Sequence, residues 1–456
     1  MRTHGPLWLL WTAACAASSP AAPAATAPAA HEGTPIRFIE NDYRGALAVA
    51  RARHLPLFVD AWAPWCHTCL SMRSFVLSDP ALRRLRESFI WLSLDTERED
   101  NADVVARLGV RVLPTLYVID AGRETPILAW PGSLTAGELA SLLEDSAAAA
   151  GRGDQRGSAA ASLLRGHRAS AEGNFGEAIA AYRAALAAAP PDWPKRVQAV
   201  DGLVTRLADD HQLAACVDAG ADEAPKMALG TPLADVIRAS IGCAEQLPAS
   251  APERARLGEL AALGRRVASD PSEAILPDDR SDVYDCVVGA LRELGRLDDA
   301  LVIARQWAEF LERQASQART AAARTVFDAH RVLAYIAIGD AQRAVPMLEQ
   351  SERDFPDDYN PPARLATTYL AMKRNDEALA AVKRALVRAY GPRKMRLWSL
   401  EADVYEAMGN EDAAREALRT ALDFAKTRPL TAGYAKLRDA ITSRLRGYGE
   451  DRTWRR

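Results

Sequence analysis

The chain has little of what most often announces a protein's chemistry. Six cysteines among 456 residues are far too few for a fold built on disulfides. An excess of one charge is also missing. With 57 Lys and Arg against 60 Asp and Glu, the formal net charge is −3, and there is no basic footprint for nucleic acid. Beyond the N-terminal stretch, no apolar run approaches the roughly 20 residues of a membrane-spanning helix, because Arg, Asp or Glu interrupts each one. From about residue 165 onward there is no His/Glu metal motif, no Gly-rich phosphate loop and no Ser–His–Asp pattern, so neither a metal nor a cofactor is expected. What is present is 49% hydrophobic and 26% charged residues, the composition of folded modules. The length exceeds one ordinary domain, so several units are expected.

The N-terminus reads as an export signal over residues 1–15. Arg2 precedes the short apolar stretch Pro6-Leu7-Trp8-Leu9-Leu10-Trp11, and small residues follow. Thr12-Ala13-Ala14-Cys15 resembles the lipobox of bacterial lipoproteins, departing from it at Thr12, and makes Cys15 a candidate for lipidation. Ordinary cleavage nearby, with Cys15 discarded, is the alternative. Residues 16–34, rich in Ala, Pro and Ser, read as a tether. The expected location is the bacterial periplasm or cell envelope, with membrane attachment only through an N-terminal lipid.

Between 35 and 150 strand and helix signals alternate, which predicts a mixed α/β sheet. Leu55–Trp62 reads as a buried strand, Phe89–Asp95 as a second, Val112–Asp120 as a third and Thr125–Trp130 as a fourth. Asn101–Leu108 suits a short helix, and Thr135 opens another. The chemistry sits at Cys66-His67-Thr68-Cys69, at the start of a helical pattern. Two cysteines so spaced can form an exchangeable disulfide. The first lies where backbone N–H groups favour a thiolate, the attacking species, and the second resolves the mixed disulfide. A structural zinc site needs four ligands, and Cys216, Cys243 and Cys286 supply no second C-x-x-C.

Val59-Asp60-Ala61-Trp62-Ala63-Pro64-Trp65-Cys66, Cys69 and Val112-Leu113-Pro114-Thr115 together resemble the thioredoxin superfamily. Ser78-Asp79-Pro80 and the run Leu108-Gly109-Val110 to Thr115 are most similar to the C-terminal thioredoxin-like domain of transmembrane disulfide reductases. The resemblance covers about residues 35 to 148. It implies catalytic roles for Cys66, Cys69, Asp60 and Pro114: a redox disulfide, a buried carboxylate moving the proton of the resolving cysteine, and a cis-proline beside the disulfide. It implies substrate docking at Leu113, whose backbone would pair with an extended peptide, and at Trp65. The sequence departs from the family's pattern at His67-Thr68, at Leu70, often basic, and at Trp91, where a lysine often stands. A histidine in the motif can become a cation that stabilises the thiolate and pushes the pair toward oxidation.

Residues 151–165 read as a linker, and 166–456 as a helical solenoid. Gly173–Leu186 resembles the second half of a tetratricopeptide repeat, and similar units begin near Gly295, Gly339, Lys373 and Gly409. Ala344, Ala378 and Ala414 recur near the ~34-residue period. Between 191 and 277 the period is degenerate. Such repeats stack into a concave surface for a peptide or protein. His167, His211 and His330 read as isolated surface or core residues. Cys216 pairs with Cys243, or Cys243 with Cys286.

The expected function is an exported thiol–disulfide oxidoreductase, with reduction favoured. Its partners would be exported proteins with cysteines, an upstream thiol donor and a protein or peptide in the repeat groove. The alternative is a repeat-based scaffold using the redox fold for docking.

Overall fold

The first strong signal the structure adds is helical. The computed structural model describes residues 36–150, 158–190 and 192–450. The signal at 1–15 with Cys15, the tether at 16–34 and residues 151–157 of the linker lie outside these.

Two N-terminal elements escaped the sequence reading: strand β1 (Ile39–Glu40) and helix α1 (Tyr43–Arg53). Helix α1 starts where the Asp42 carboxylate accepts from the Gly45 N–H. It buries Tyr43, Ala46, Leu47 and Ala50, a three–four spacing that marks one helical face. Then come β2 (Leu57–Trp62), helix α2 (His67–Ser71), β3 (Ile90–Asp95), helix α3 (Ala102–Leu108), β4 (Thr115–Asp120), β5 (Thr125–Pro131) and helix α4 (Ala136–Ala150). A π-helical stretch, Met72–Val76, prolongs α2. The third strand is shorter than expected, because Val112, Leu113 and Pro114 form a loop with a cis Leu113–Pro114 peptide.

The five strands lie in the order β1-β3-β2-β4-β5. β1 and β2 run parallel to β3, while β4 is antiparallel to both β2 and β5. Side chains alternate across a strand. Leu57, Val59 and Ala61 therefore join α1 and α3 in one apolar layer, and Phe58 joins Trp91, Leu116 and Leu139 in the other. The same alternation sets Asp60 and its register partner Ser93 on the Phe58 side.

The helical region begins at Ala159, inside the stretch read as linker, because the Ser158 hydroxyl caps the Ala161 N–H. Helices then pack in consecutive pairs, such as Ala159–Ala171 with Phe175–Ala188, and Asn360–Ala371 with Asn375–Arg388. The degenerate stretch is helical too, with Arg196–Asp209, Leu213–Glu223, Thr231–Gln246 and Leu257–Ser269. Ala344, Ala378 and Ala414 are fully buried, as close helix pairing requires. Gly339 and Gly409 take the left-handed turn before a second helix, and Lys373 does the same without being glycine. Cys216 and Cys243 are joined in a buried disulfide, and Cys286 is free.

The described residues form one compact unit. Leu70 and Phe75 on the redox helix pack into the apolar core of the repeats, and Phe75 stacks on Phe327 with ring centroids 6.2 Å apart. The apolar residue at Leu70, where a basic one is common, is thereby accounted for: it faces helices.

Candidate functional site

The end of β2 carries the chain from the sheet into the cysteine motif. Cys66 caps α2 and Cys69 lies one turn further, and they form a disulfide with Cα atoms 5.2 Å apart. The Cys69 N–H points at Cys66 Sγ at 3.0 Å, an interaction that favours a thiolate once the bond is opened. Ala63, Trp62, Trp65 and Leu113 pack around the two sulfurs. The cis Leu113–Pro114 bond thus stands beside the disulfide.

Asp60 is buried, and neither of its carboxylate oxygens has a hydrogen-bond partner. Burial pushes its carboxyl up to about 7, and Arg73, with a nitrogen 4.0 Å away, only moderates the effect. A cleft of about 240 Å³ lined by Asp60, Arg73, Ser93 and Asp79 reaches this carboxyl. Arg73 was not singled out in the sequence. It lies over the Trp62 ring at 4.0 Å and donates to Ser93 Oγ at 2.8 Å, to which Trp62 Nε1 also donates. It supplies the cation near Asp60. Trp91, where a lysine often stands, is instead buried among Phe38, Phe58 and Phe89.

The repeats come back over the motif. Trp65 Nε1 donates to Glu97 Oε1 at 2.8 Å, and Tyr434 OH donates to the same oxygen at 2.8 Å. The Arg393 N–H donates to Glu97 Oε2, and the Arg393 guanidinium lies 4.8 Å from the centre of the Trp65 ring. Asn360 Nδ2 donates to the Pro64 carbonyl at 3.1 Å, and Tyr390 OH donates to Asp95. At Gly391 a Cβ would lie 1.9 Å from the Glu97 carbonyl oxygen, so only glycine allows this approach. Burial raises the carboxyl of Glu97, and its three donors oppose that rise. Cys66 keeps 4% of its surface exposed and Cys69 none.

His67 departs from expectation. Its Nδ1 lies 2.9 Å from Asp278 Oδ2 and its ring centroid 4.1 Å from that of His330. Burial pulls the imidazole down, but Asp278 and Asp282 outweigh it and hold it at about 9. The expected imidazolium is thus held between two carboxylates, whose charges oppose its pull on a neighbouring thiolate. His330 is not isolated: its Nε2 lies 3.2 Å from Asp282 Oδ1. His167 is buried against Trp130 and Tyr182 with neither ring nitrogen hydrogen-bonded, and burial lowers it to about 4. His211 is exposed.

An α/β sheet that presents a two-residue-spaced disulfide beside a cis-proline, over a buried carboxyl, defines the class of thiol–disulfide redox folds. A family model described as thioredoxin-like matches residues 38–121, and tetratricopeptide-repeat models match 335–394 and 396–427. The thioredoxin of Pyropia yezoensis is 35% identical over 88 residues, which is 19% of this chain and 78% of that protein. The thiol:disulfide interchange protein DsbD of Cronobacter sakazakii is 34% identical over 82 residues, 17% of this chain but only 14% of that protein. A tetratricopeptide repeat protein of Parabacteroides merdae superposes with a TM-score of 0.40 at 11% identity, over 62% of this chain and 97% of that one. The chain belongs to the thioredoxin family, with tetratricopeptide repeats following its thioredoxin-like domain. At the level of that family, the activity indicated is thiol–disulfide exchange.

Among the described residues no helix is long and apolar enough to cross a membrane.

Proposed function

We propose that this protein is an exported thiol–disulfide oxidoreductase of the bacterial cell envelope that reduces disulfides of other exported proteins, anchored through Cys15 where that residue is lipidated. The observation that carries the chemistry is the Cys66–Cys69 disulfide at the start of α2, packed against Leu113 beside the cis-proline. The resemblance of Ser78-Asp79-Pro80 and of the run from Leu108 to Thr115 to the thioredoxin-like domain of transmembrane disulfide reductases supports reduction as the direction.

In the reduced protein the Cys66 thiolate attacks a client disulfide. A Cys66–client bond forms, and the second client sulfur leaves as a thiolate. Cys69, giving its proton toward Asp60, then attacks Cys66 Sγ. The Cys66–Cys69 bond forms and the first client sulfur is released. Two electrons pass to the client, and an upstream dithiol must restore them. Leu113 and Trp65 flank the sulfurs and serve as the docking edge for an extended client segment. The repeats recruit a protein partner.

The slight exposure of Cys66 favours a second reading, in which the redox fold chiefly docks a repeat scaffold. Cys69→Ala decides between them. Cysteine-dependent mixed disulfides through Cys66 are expected in cells producing the variant. No adducts, together with full biological function in Cys66→Ser/Cys69→Ser, would establish the scaffold instead.

A further inference from the structure

The junction between the cysteine motif and the repeats has the makings of a metal centre. His67 comes from the motif itself, Asp278 and Asp282 from helix Pro277–Glu293, and His330 from helix Asp328–Ala337. The imidazoles are arranged with a common sense. Both Nδ1 atoms face Asp278: His67 Nδ1 lies 2.9 Å from Oδ2, and His330 Nδ1 lies 3.9 Å from Oδ1. Both Nε2 atoms face Asp282 Oδ1, at 3.9 Å for His67 and 3.2 Å for His330.

Two atoms on the Asp278 side lack what burial demands. Asp278 is wholly buried and His330 is 2% exposed, yet Asp278 Oδ1 and His330 Nδ1 have no hydrogen-bond partner among the described residues. Buried polar atoms are nearly always satisfied, so each calls for an explanation. Thr68 Oγ1 lies 3.2 Å from His67 Nδ1.

We infer that His67, Asp278 and His330 form a binding site for a first-row divalent cation of the zinc type, with Asp282 as the carboxylate that orients the His330 ring. Ligand atoms of the three groups lie within 4.8 Å of one another. In a tetrahedron with bonds of about 2.0–2.1 Å, ligands stand about 3.3 Å apart. The observed 2.9 and 3.9 Å fall on either side of that edge but end on different oxygens of Asp278, so the carboxylate and the rings must shift to share one ion. Two imidazoles and one carboxylate, without sulfur, suit zinc and its neighbours over the soft-ligand metals. An imidazole that binds a metal through one nitrogen commonly donates its other N–H to a carboxylate, which is the position of Asp282 toward His330 Nε2 at 3.2 Å. The fourth place is left to water or a small anion. The centre would pin the residue after Cys66 to two repeat helices.

The test uses the tag-free full chain with both disulfides oxidised and with Cys15→Ser and Cys286→Ser, so that no thiol competes. It is dialysed against Zn²⁺, freed of excess, and its metal content measured. Co²⁺ then serves as a spectroscopic stand-in. The expected result is one Zn²⁺ per chain, and visible Co²⁺ absorption of the intensity of a tetrahedral site. His67→Gln, whose side chain is partly exposed, and His330→Gln should lose the ion while circular dichroism is unchanged. Asp282→Asn should weaken binding by about 10–100-fold. No Zn²⁺ retained by the parent, or equal retention in folded His67→Gln, overturns the assignment. Should His330→Gln fail to fold, the His67 and Asp282 variants decide. The measurement needs no redox activity, so it stands apart from the proposed disulfide exchange.

Discussion

Replacing Asp60 with Asn should stabilise this protein, and by an amount set by pH. The carboxyl is buried without a hydrogen bond, and burial lifts it from an ordinary 3.8 to about 7. The fold therefore prefers the neutral form. Its contribution to stability is fully present below the unfolded value near 3.8 and is lost as pH rises through about 7. The gap corresponds to about 4 kcal/mol at the alkaline plateau. Asn has the shape of the neutral acid and no charge to bury, so Asp60→Asn escapes the loss. Thermal unfolding of the oxidised chain, parent beside variant, should show near-equal midpoints at about pH 4 and a growing advantage for Asn up to about pH 8. If the group is the proton acceptor for Cys69, the same variant should slow release of a mixed disulfide at neutral pH. A midpoint difference that does not change with pH would refute the account of Asp60 as a desolvated acid.

The remaining expectations concern the repeats. Cys216→Ser should destabilise the chain by about 3.5 kcal/mol, the loop-closure value for cysteines 27 residues apart, read as a lower melting point in non-reducing buffer. Glu97→Ala removes the common acceptor of Trp65, Tyr434 and the Arg393 N–H, so alkylation of reduced Cys66 should quicken several-fold. An unchanged rate would mean that the repeats do not limit access to the sulfur.

The sequence was most legible where a signal is local. Apolar runs marked β2 to β5, although Pro114 and its cis bond cut the third strand short at its start. The recurring alanines located helix pairs because close packing admits only a small residue there. Helix α1 had a readable face in Tyr43, Ala46, Leu47 and Ala50, masked by the short stretch and the alanine-rich composition. Strand β1 has two residues, too few for any period. What no pattern could supply was the meeting of distant segments. His67 and Asp278 are 211 positions apart, and nothing about His330 alone announces a neighbour on the redox motif. For the same reason Leu70 looked anomalous until the helices it touches were known.

The seam between Glu97 and Tyr434 joins residues 337 positions apart, and that between Pro64 and Asn360 joins residues 296 apart. Contacts of such span form late, after the loop entropy between them has been overcome. Chains are made from the N-terminus, and the five strands are complete some 300 residues before the closing helix Ala432–Glu450 exists. A half-made or truncated chain therefore carries the cysteine motif without the helices that hold Pro64, Trp65 and His67. In the youngest molecule the motif stands without its repeat partners, and it gains them only at maturity.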